Sequence, residues 1–265
     1  MTQKDFSPPK ANMAYLTLER RQKKSKVPAR LDLAQSLTGL VLGLFILGHV
    51  MFVSAILLGP DMAYKVDKVL EASFLDPEGH GFSYLVSVAA FIIASILIVH
   101  AGLGLRKFPA SFRQYRIMQD QIENLNHDET RLWLMQVVTG FILFFFGSAH
   151  VFAMMLNPGQ IDPYLAAARY FGHGMWLFYL ILLWAVVVHA FIGLYRVLLK
   201  WGWICGEPRK ARRTLRVVQR ILTAFYLLVG TLSIFYYVKL GYERADLPLQ
   251  RYGQEIHGSS SSTHP

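Results

Sequence analysis

"TGFILFFFGSAHVFAMML", residues 139–156, is eighteen residues with no formal charge. As an α-helix rising about 1.5 Å per residue it nearly covers the roughly 30 Å of bilayer hydrocarbon, so the stretch reads as a membrane span. The apolar run around it extends from Leu132 to Leu156. One residue resists: His150 has no carboxylate or base nearby, and imidazole is costly to bury without a partner.

Working outward, four more runs have the same character: Leu33–Leu58, Phe82–Leu105, Tyr170–Leu199 and Ile221–Val238. Each has at least 18 residues, and in lipid a helix satisfies its own backbone. Segments of about ten alternating residues, which a membrane barrel needs, are absent. The expectation is an all-α membrane protein of five transmembrane helices. The chain divides into a basic N-terminal segment, 1–30, a five-helix domain, 31–240, and a polar, mobile tail, 241–265. Residues 1–30 are too long and too polar for a cleavable signal. The chain is 54% hydrophobic and only 17% charged, against about a quarter charged in a soluble domain.

Charge sets the orientation. Eight of the 27 Lys and Arg residues precede the first run, five lie in 106–131 and eight in 196–220, so 21 fall on one side. The positive-inside rule puts the N-terminus in the cytoplasm and the C-terminus outside. This topology accounts for the net charge of +10 and argues against nucleic-acid binding. No connection exceeds 26 residues, too short for a catalytic domain. "PASFRQYRIMQDQIENLNHDETRLW" reads as an amphipathic interfacial segment, with Asp128 as the N-cap of the next helix. A single cysteine, Cys205, excludes a disulfide framework or a cysteine-held cluster within the chain. No internal repeat of useful precision is read.

Of nine histidines, His80 and His127 fall in loops and His257 and His264 in the tail, while His173 sits at the outer mouth of the fourth run. The other four lie inside runs: His49, His100, His150 and His189. A single histidine at membrane depth can be an interhelical hydrogen-bonding residue, but it counts as a functional-site hypothesis. Their depths sort four of them. His49 is nine residues from Leu58 and His150 six from Leu156, which places both roughly 9–14 Å below the outer surface. His100 is five residues before Leu105 and His189 ten before Leu199, roughly 8–15 Å above the inner surface. Two imidazoles facing each other are what bis-histidine haem ligation requires, and a four-helix core can house the disc. Small residues beside the histidines (Gly48, Gly102, Gly104, Gly147 and Gly193) would give it room. Candidate propionate partners are Arg30, Gln35, Ser36, Arg106, Arg196 and Lys200; positive-inside placement and helix-end hydrogen bonds are the bland alternatives. Zinc is disfavoured, because histidines at two depths make no tetrahedral site. The five runs contain no acidic residue, which weakens a proton-pump or cation-transporter reading.

Four blocks carry a family resemblance over roughly residues 23–240: "KKSKVPARLDLAQSLTGLVLGLFILGHVMFVSAILLG", "VHAGLGLRKFPASFRQY", "TGFILFFFGSAHVFAMM" and "VVVHAFIGLYRVLLKWGW". Together they resemble the dihaem cytochrome b subunit of menaquinol:fumarate reductases, the membrane anchor in the succinate:quinone oxidoreductase family. The cytochrome b of bc complexes differs, carrying two histidines on each of two helices. The resemblance implies two b haems, the proximal one ligated by His100 and His189 and the distal one by His49 and His150. It implies an iron–sulfur subunit and an FAD-bearing flavoprotein subunit as partners, in the bacterial cytoplasmic membrane, serving anaerobic respiration. The anchor would oxidise menaquinol and pass electrons on; fumarate reduction would belong to the flavoprotein. It also implies a carboxylate proton acceptor 22 residues beyond the first haem histidine, which is Glu71. A solvated loop acid is the alternative there, with Asp67, Asp76 and Glu78 nearby. Some members carry a glutamate two residues before the fourth histidine for a compensating proton route; here Val187 stands there. The rival readings are a succinate:menaquinone reductase anchor with reversed flux, and a non-haem membrane scaffold or transporter.

Overall fold

The computed structural model describes residues 25–77, 81–108, 111–124, 128–202, 208–252 and 254. Glu78, His80, His127, Cys205, His257 and His264 lie outside them. Among the described residues five segments are long and apolar enough to cross a membrane: Val27–Leu58, Tyr84–Leu105, Glu129–Leu156, Trp176–Trp201 and Lys210–Glu243. In chain order the α-helices are α1 (Val27–Val53), α2 (Pro60–Leu70), α3 (Tyr84–Leu105), α4 (Phe112–Asn124), α5 (Asp128–Leu156), α6 (Pro163–Phe171), α7 (Trp176–Trp201) and α8 (Pro208–Glu243). The spans are α1, α3, α5, α7 and α8.

α1 packs on α3, α3 on α5, α5 on α7 and α7 on α1, which closes a ring of four helices. α8 lies outside the ring against α7 and α6. Successive spans alternate in direction, as contacts at both ends show. At the N-terminal face, Asp32 at the start of α1 meets Arg106 just past α3 and Lys200 near the end of α7. At the far face, Ser87 at the start of α3 donates to the Met155 carbonyl at the end of α5 (2.7 Å). α7 has neighbours on several sides and buries Leu183, Val187, Phe191, Ile192 and Tyr195; α3 buries no residue. Small residues let these helices close up without a hydrophobic drive between them: a Cβ on Gly230 of α8 would stand 2.6 Å from Leu183 of α7, and one on Gly43 of α1 2.9 Å from Leu194.

Three boundaries differ from the apolar runs. The fourth apolar run starts at Tyr170, but Tyr170 belongs to α6, and a turn at Gly172–Met175 separates it from α7. Gly174 takes a positive φ of 64°, which breaks the helix; His173 lies exposed in that turn. α8 extends well before Ile221, because its charged N-terminal turns are helical and simply stand outside an apolar window. In the stretch 241–252, expected to begin a mobile tail, Tyr252 is tied to the far face while most of residues 242–250 are exposed: Tyr252 N donates to Asp162 Oδ2 at 2.9 Å, and its ring meets Tyr64 and Tyr164. The interfacial segment after α3 is the amphipathic α4, and helix α5 begins at Asp128.

Candidate functional site

Each ring helix carries one histidine: His49 on α1, His100 on α3, His150 on α5 and His189 on α7. They meet in two pairs. The near pair, toward the N-terminal face, is His100 and His189, with ring centroids 6.4 Å apart and planes at 85°. The far pair is His49 and His150, 6.2 Å apart at 55°. Each pair joins opposite helices of the ring, so its midpoint falls in the middle of the bundle. Two metal–imidazole bonds of about 2 Å, with roughly 1 Å from each nitrogen to its ring centre, put centroids about 6 Å apart. Both separations fit a metal between two imidazoles. Among the described residues no three His, Cys, Asp or Glu side chains cluster as a metal site, so a two-ligand arrangement, which a porphyrin completes, suits the donor set.

The near pair is closely seated. His100 Nδ1 lies 3.1 Å from Thr38 Oγ1 on α1, and a Cβ on Gly39 would stand 2.8 Å from His100 Cε1. His189 Nδ1 donates to the Gln136 carbonyl on α5 (2.9 Å), with Thr139 Oγ1 at 3.3 Å. A Cβ on Gly140 would stand 3.2 Å from His189 Cε1. The far pair is held by aromatic faces. His49 stacks on Phe45 (5.3 Å), and His150 meets the edge of Tyr179 (5.7 Å). His150 Nδ1 is buried with no hydrogen-bond partner, a state that normally demands a ligand or water.

Glu71, at the C-terminal end of α2 on the far face, is 2% exposed and pairs with Lys68 Nζ at 2.7 Å. Gly81, with φ 77°, lets the chain fold over it; a Cβ there would stand 2.9 Å from Glu71 Cβ, and Phe82 N donates to the Glu71 carbonyl. Glu71 is thus buried rather than solvated. Asp76 accepts from Gly81 N at 3.0 Å. Asp67, one turn before Glu71, has its carboxyl pushed up to about 7 by burial and by the charges of Asp162 and Glu71, against the opposing pull of Lys68 and Arg169. Asp162 is itself buried as the N-cap of α6. Tyr179, Tyr170 and Tyr237 stack in a ladder beside His150 (4.5 and 5.1 Å), and burial pushes the Tyr170 phenol upward.

At the N-terminal face Arg106, Lys107 and Lys200 converge on Asp32 at 3.0, 3.1 and 3.3 Å. Arg196 donates to Gln136 Oε1 at 2.7 Å, and Ser36 donates to the Asp32 carbonyl of its own helix at 2.9 Å. Arg30 is exposed. Of the six candidate propionate residues, Gln35 alone carries a buried side-chain atom, Oε1, with no partner. The buried Trp201 Nε1 shares that condition; nothing marked it in sequence, since a tryptophan at a span's end is ordinary for a membrane interface. Thr38, Thr139 and Gln136 also went unread, because a polar residue two to three turns from a histidine matters only once a neighbouring helix is known. Asp32 precedes the apolar run, so hydropathy does not mark it.

A family model described as "Succinate dehydrogenase/Fumarate reductase transmembrane subunit" matches residues 113–231. The fumarate reductase cytochrome b subunit of Wolinella succinogenes is 42% identical over 234 residues, covering 88% of this chain and 91% of that one. Fumarate reductase cytochrome b subunits from two strains of Helicobacter pylori are 38% identical over 232 residues, covering 88% of this chain and 89% of theirs. With five spans and a histidine on each helix of a closed four-helix ring, the chain belongs to the family of fumarate reductase cytochrome b subunits, the transmembrane subunits of fumarate reductase and succinate dehydrogenase complexes.

Proposed function

We propose that the chain holds two b haems and is the quinol-oxidising anchor of a menaquinol:fumarate reductase in the bacterial cytoplasmic membrane. The observation that carries this is the pair of histidine separations, 6.4 and 6.2 Å, on opposite helices at two depths. His100 and His189 would hold one haem near the cytoplasmic face, His49 and His150 the other near the outer face. Bound there, the haems supply reversible one-electron transfer. The protein's part is to seat the rings in a dry bundle and place the proton chemistry at one end. Trp201 Nε1, a donor buried without a partner, and Lys200 over its ring are suited to donate to the near propionates, to which Gln35 would contribute its amide N–H.

Menaquinol oxidation on the outer side releases two electrons and two protons. Glu71, buried and positioned against Lys68, accepts a proton there. The electrons leave across the basic cytoplasmic face to an iron–sulfur subunit, then to an FAD subunit that reduces fumarate to succinate. Helix α7 presents no carboxylate beside His189; Val187 is fully buried in apolar packing. We infer that a proton route carried by a glutamate at this position is absent or built differently.

Reduced-minus-oxidised spectra with haem stoichiometry in the purified complex test the reading. The expected result is two haems, with His100→Ala and His150→Ala each losing a different one. Absence of a b-type α band overturns it. The ratio of fumarate reduction to succinate oxidation in the same preparation fixes the working direction.

A further inference from the structure

The seats of the two near histidines are built by the same sequence element. α1 reads Gln35-x-x-Thr38-Gly39 and α5 reads Gln136-x-x-Thr139-Gly140, and on each helix a far histidine, His49 or His150, follows the threonine by eleven residues. Eleven residues are about three turns, so on both helices the Thr-Gly step and the far histidine share one face, roughly 16 Å apart. An unanticipated repeat thus runs through the bundle: α1 and α5 each supply one far ligand and, three turns away, the socket for a near ligand borne by α3 or α7.

We propose that this repeated Gln-x-x-Thr-Gly element is a positioning device that fixes both near histidines with the proton on Nδ1 and the lone pair of Nε2 free for iron. The assignment rests on the dihaem reading above and deepens it. For His189 the chemistry leaves one choice, because the Gln136 carbonyl at 2.9 Å can only accept. For His100, Thr38 Oγ1 sits 2.8 Å from the Ala34 carbonyl and 3.1 Å from that of Gln35. Its single proton serves those carbonyls, which leaves its lone pairs to accept from His100 Nδ1 at 3.1 Å. Thr139 repeats the arrangement with the Met135 carbonyl at 2.6 Å and His189 Nδ1 at 3.3 Å. The glycine next in sequence makes room: a side chain at Gly39 or Gly140 would enter the space of the imidazole Cε1, at 2.8 and 3.2 Å. A hydrogen bond of this kind fixes ring orientation and raises ligand basicity, as it does for the outer nitrogen of metal-bound histidines generally. The far pair has no counterpart among the described residues, since His150 Nδ1 stands without a partner.

The test is redox potentiometry and low-temperature spectroscopy of the intact complex carrying Thr38→Val, Thr38→Ser or Thr139→Val. Thr38→Val removes the side-chain acceptor, keeps the volume and leaves the Gln35 backbone, which also bonds His100. Weakened donation from His100 then destabilises the ferric state, so the midpoint potential of one haem rises and that of the other stays. Thr38→Ser restores the wild-type value. Thr139→Val shifts the potential of the same haem in the same direction. Unmoved potentials, an equal shift of both haems, or a Thr38→Ser variant that behaves like Thr38→Val would overturn the proposal while leaving the dihaem reading intact. A wild-type complex with no haem would remove both.

Discussion

The near and far histidine pairs have almost the same ring separation and almost nothing else in common. Each near histidine touches a hydroxyl and sits against a glycine of the next helix, and His189 also donates to a carbonyl. The far histidines lie against Phe45 and Tyr179, and one of their nitrogens is orphaned. The ends of the bundle differ in the same sense. Near the N-terminal face the carboxylates are well compensated: Asp32 is surrounded by three cations, and Glu129 pairs with Arg216 and accepts from Tyr195 OH. Near the far face Glu71, Asp67 and Asp162 gather around fewer cations, and one of them has a carboxyl that titrates near neutrality. A fixed near site suits electron hand-over alone. A looser far site beside ionisable carboxyls suits a step in which electrons and protons part company.

The largest expected effect breaks the contrast at its tightest point. Gly39→Val should expel the near haem, halving haem content and abolishing electron transfer to fumarate, because its Cβ starts 2.8 Å from His100 Cε1. Phe45→Leu, which removes the ring stacked on His49 without filling any space, should keep both haems. Haem stoichiometry by pyridine haemochrome checks both. Equal losses in the two variants would mean that the far site is seated as closely as the near one.

Next in size is Glu71→Gln, which keeps shape and removes the proton acceptor. Menaquinol-linked turnover should fall by on the order of 100-fold or more, while both haems remain bound and reducible by dithionite. Unchanged turnover would separate the far carboxylates from quinol chemistry.

How much of this was legible differs between the two halves of the site. Five spans and the depth order of four histidines follow from apolar runs and a fixed rise per residue, and the pairing across the ring agrees with that order. The fold's departures come from local geometry that hydropathy does not encode, such as the Gly174 turn that cuts Tyr170 away from α7. The near sockets were unreadable for a different reason. Thr38 and Thr139 look like ordinary helix-interior threonines bonding back to their own helix, and only the neighbouring helix shows that their lone pairs are used. Glu71 came from family resemblance; its 2% exposure is a property of the loop that folds over it and has no local sequence signal.

The smallest effect probes the far carboxylates through pH. In an unfolded chain Asp67 would titrate near 3.8, whereas in the folded protein it titrates near 7. The group's contribution to stability is therefore fully present below the unfolded value and is lost as pH rises through the folded one. The groups that raise it are Asp162 on α6 and Glu71 on its own helix, opposed by Lys68 and Arg169; Asp162 cannot move away, because its carboxylate accepts from Tyr164, Leu165 and Tyr252 N–H groups. Asp67→Asn removes the ionisation and keeps the shape. Its thermal midpoint should fall less than that of the wild type between pH 5 and pH 8, and the gap should open mainly between pH 5 and pH 7 and level off above that, measured by differential scanning fluorimetry of the detergent-solubilised complex. Parallel pH profiles for the two proteins would show that the far carboxylates are as well compensated as Asp32, and the electrostatic half of the contrast between the two ends would fall while the contrast in histidine seating stood.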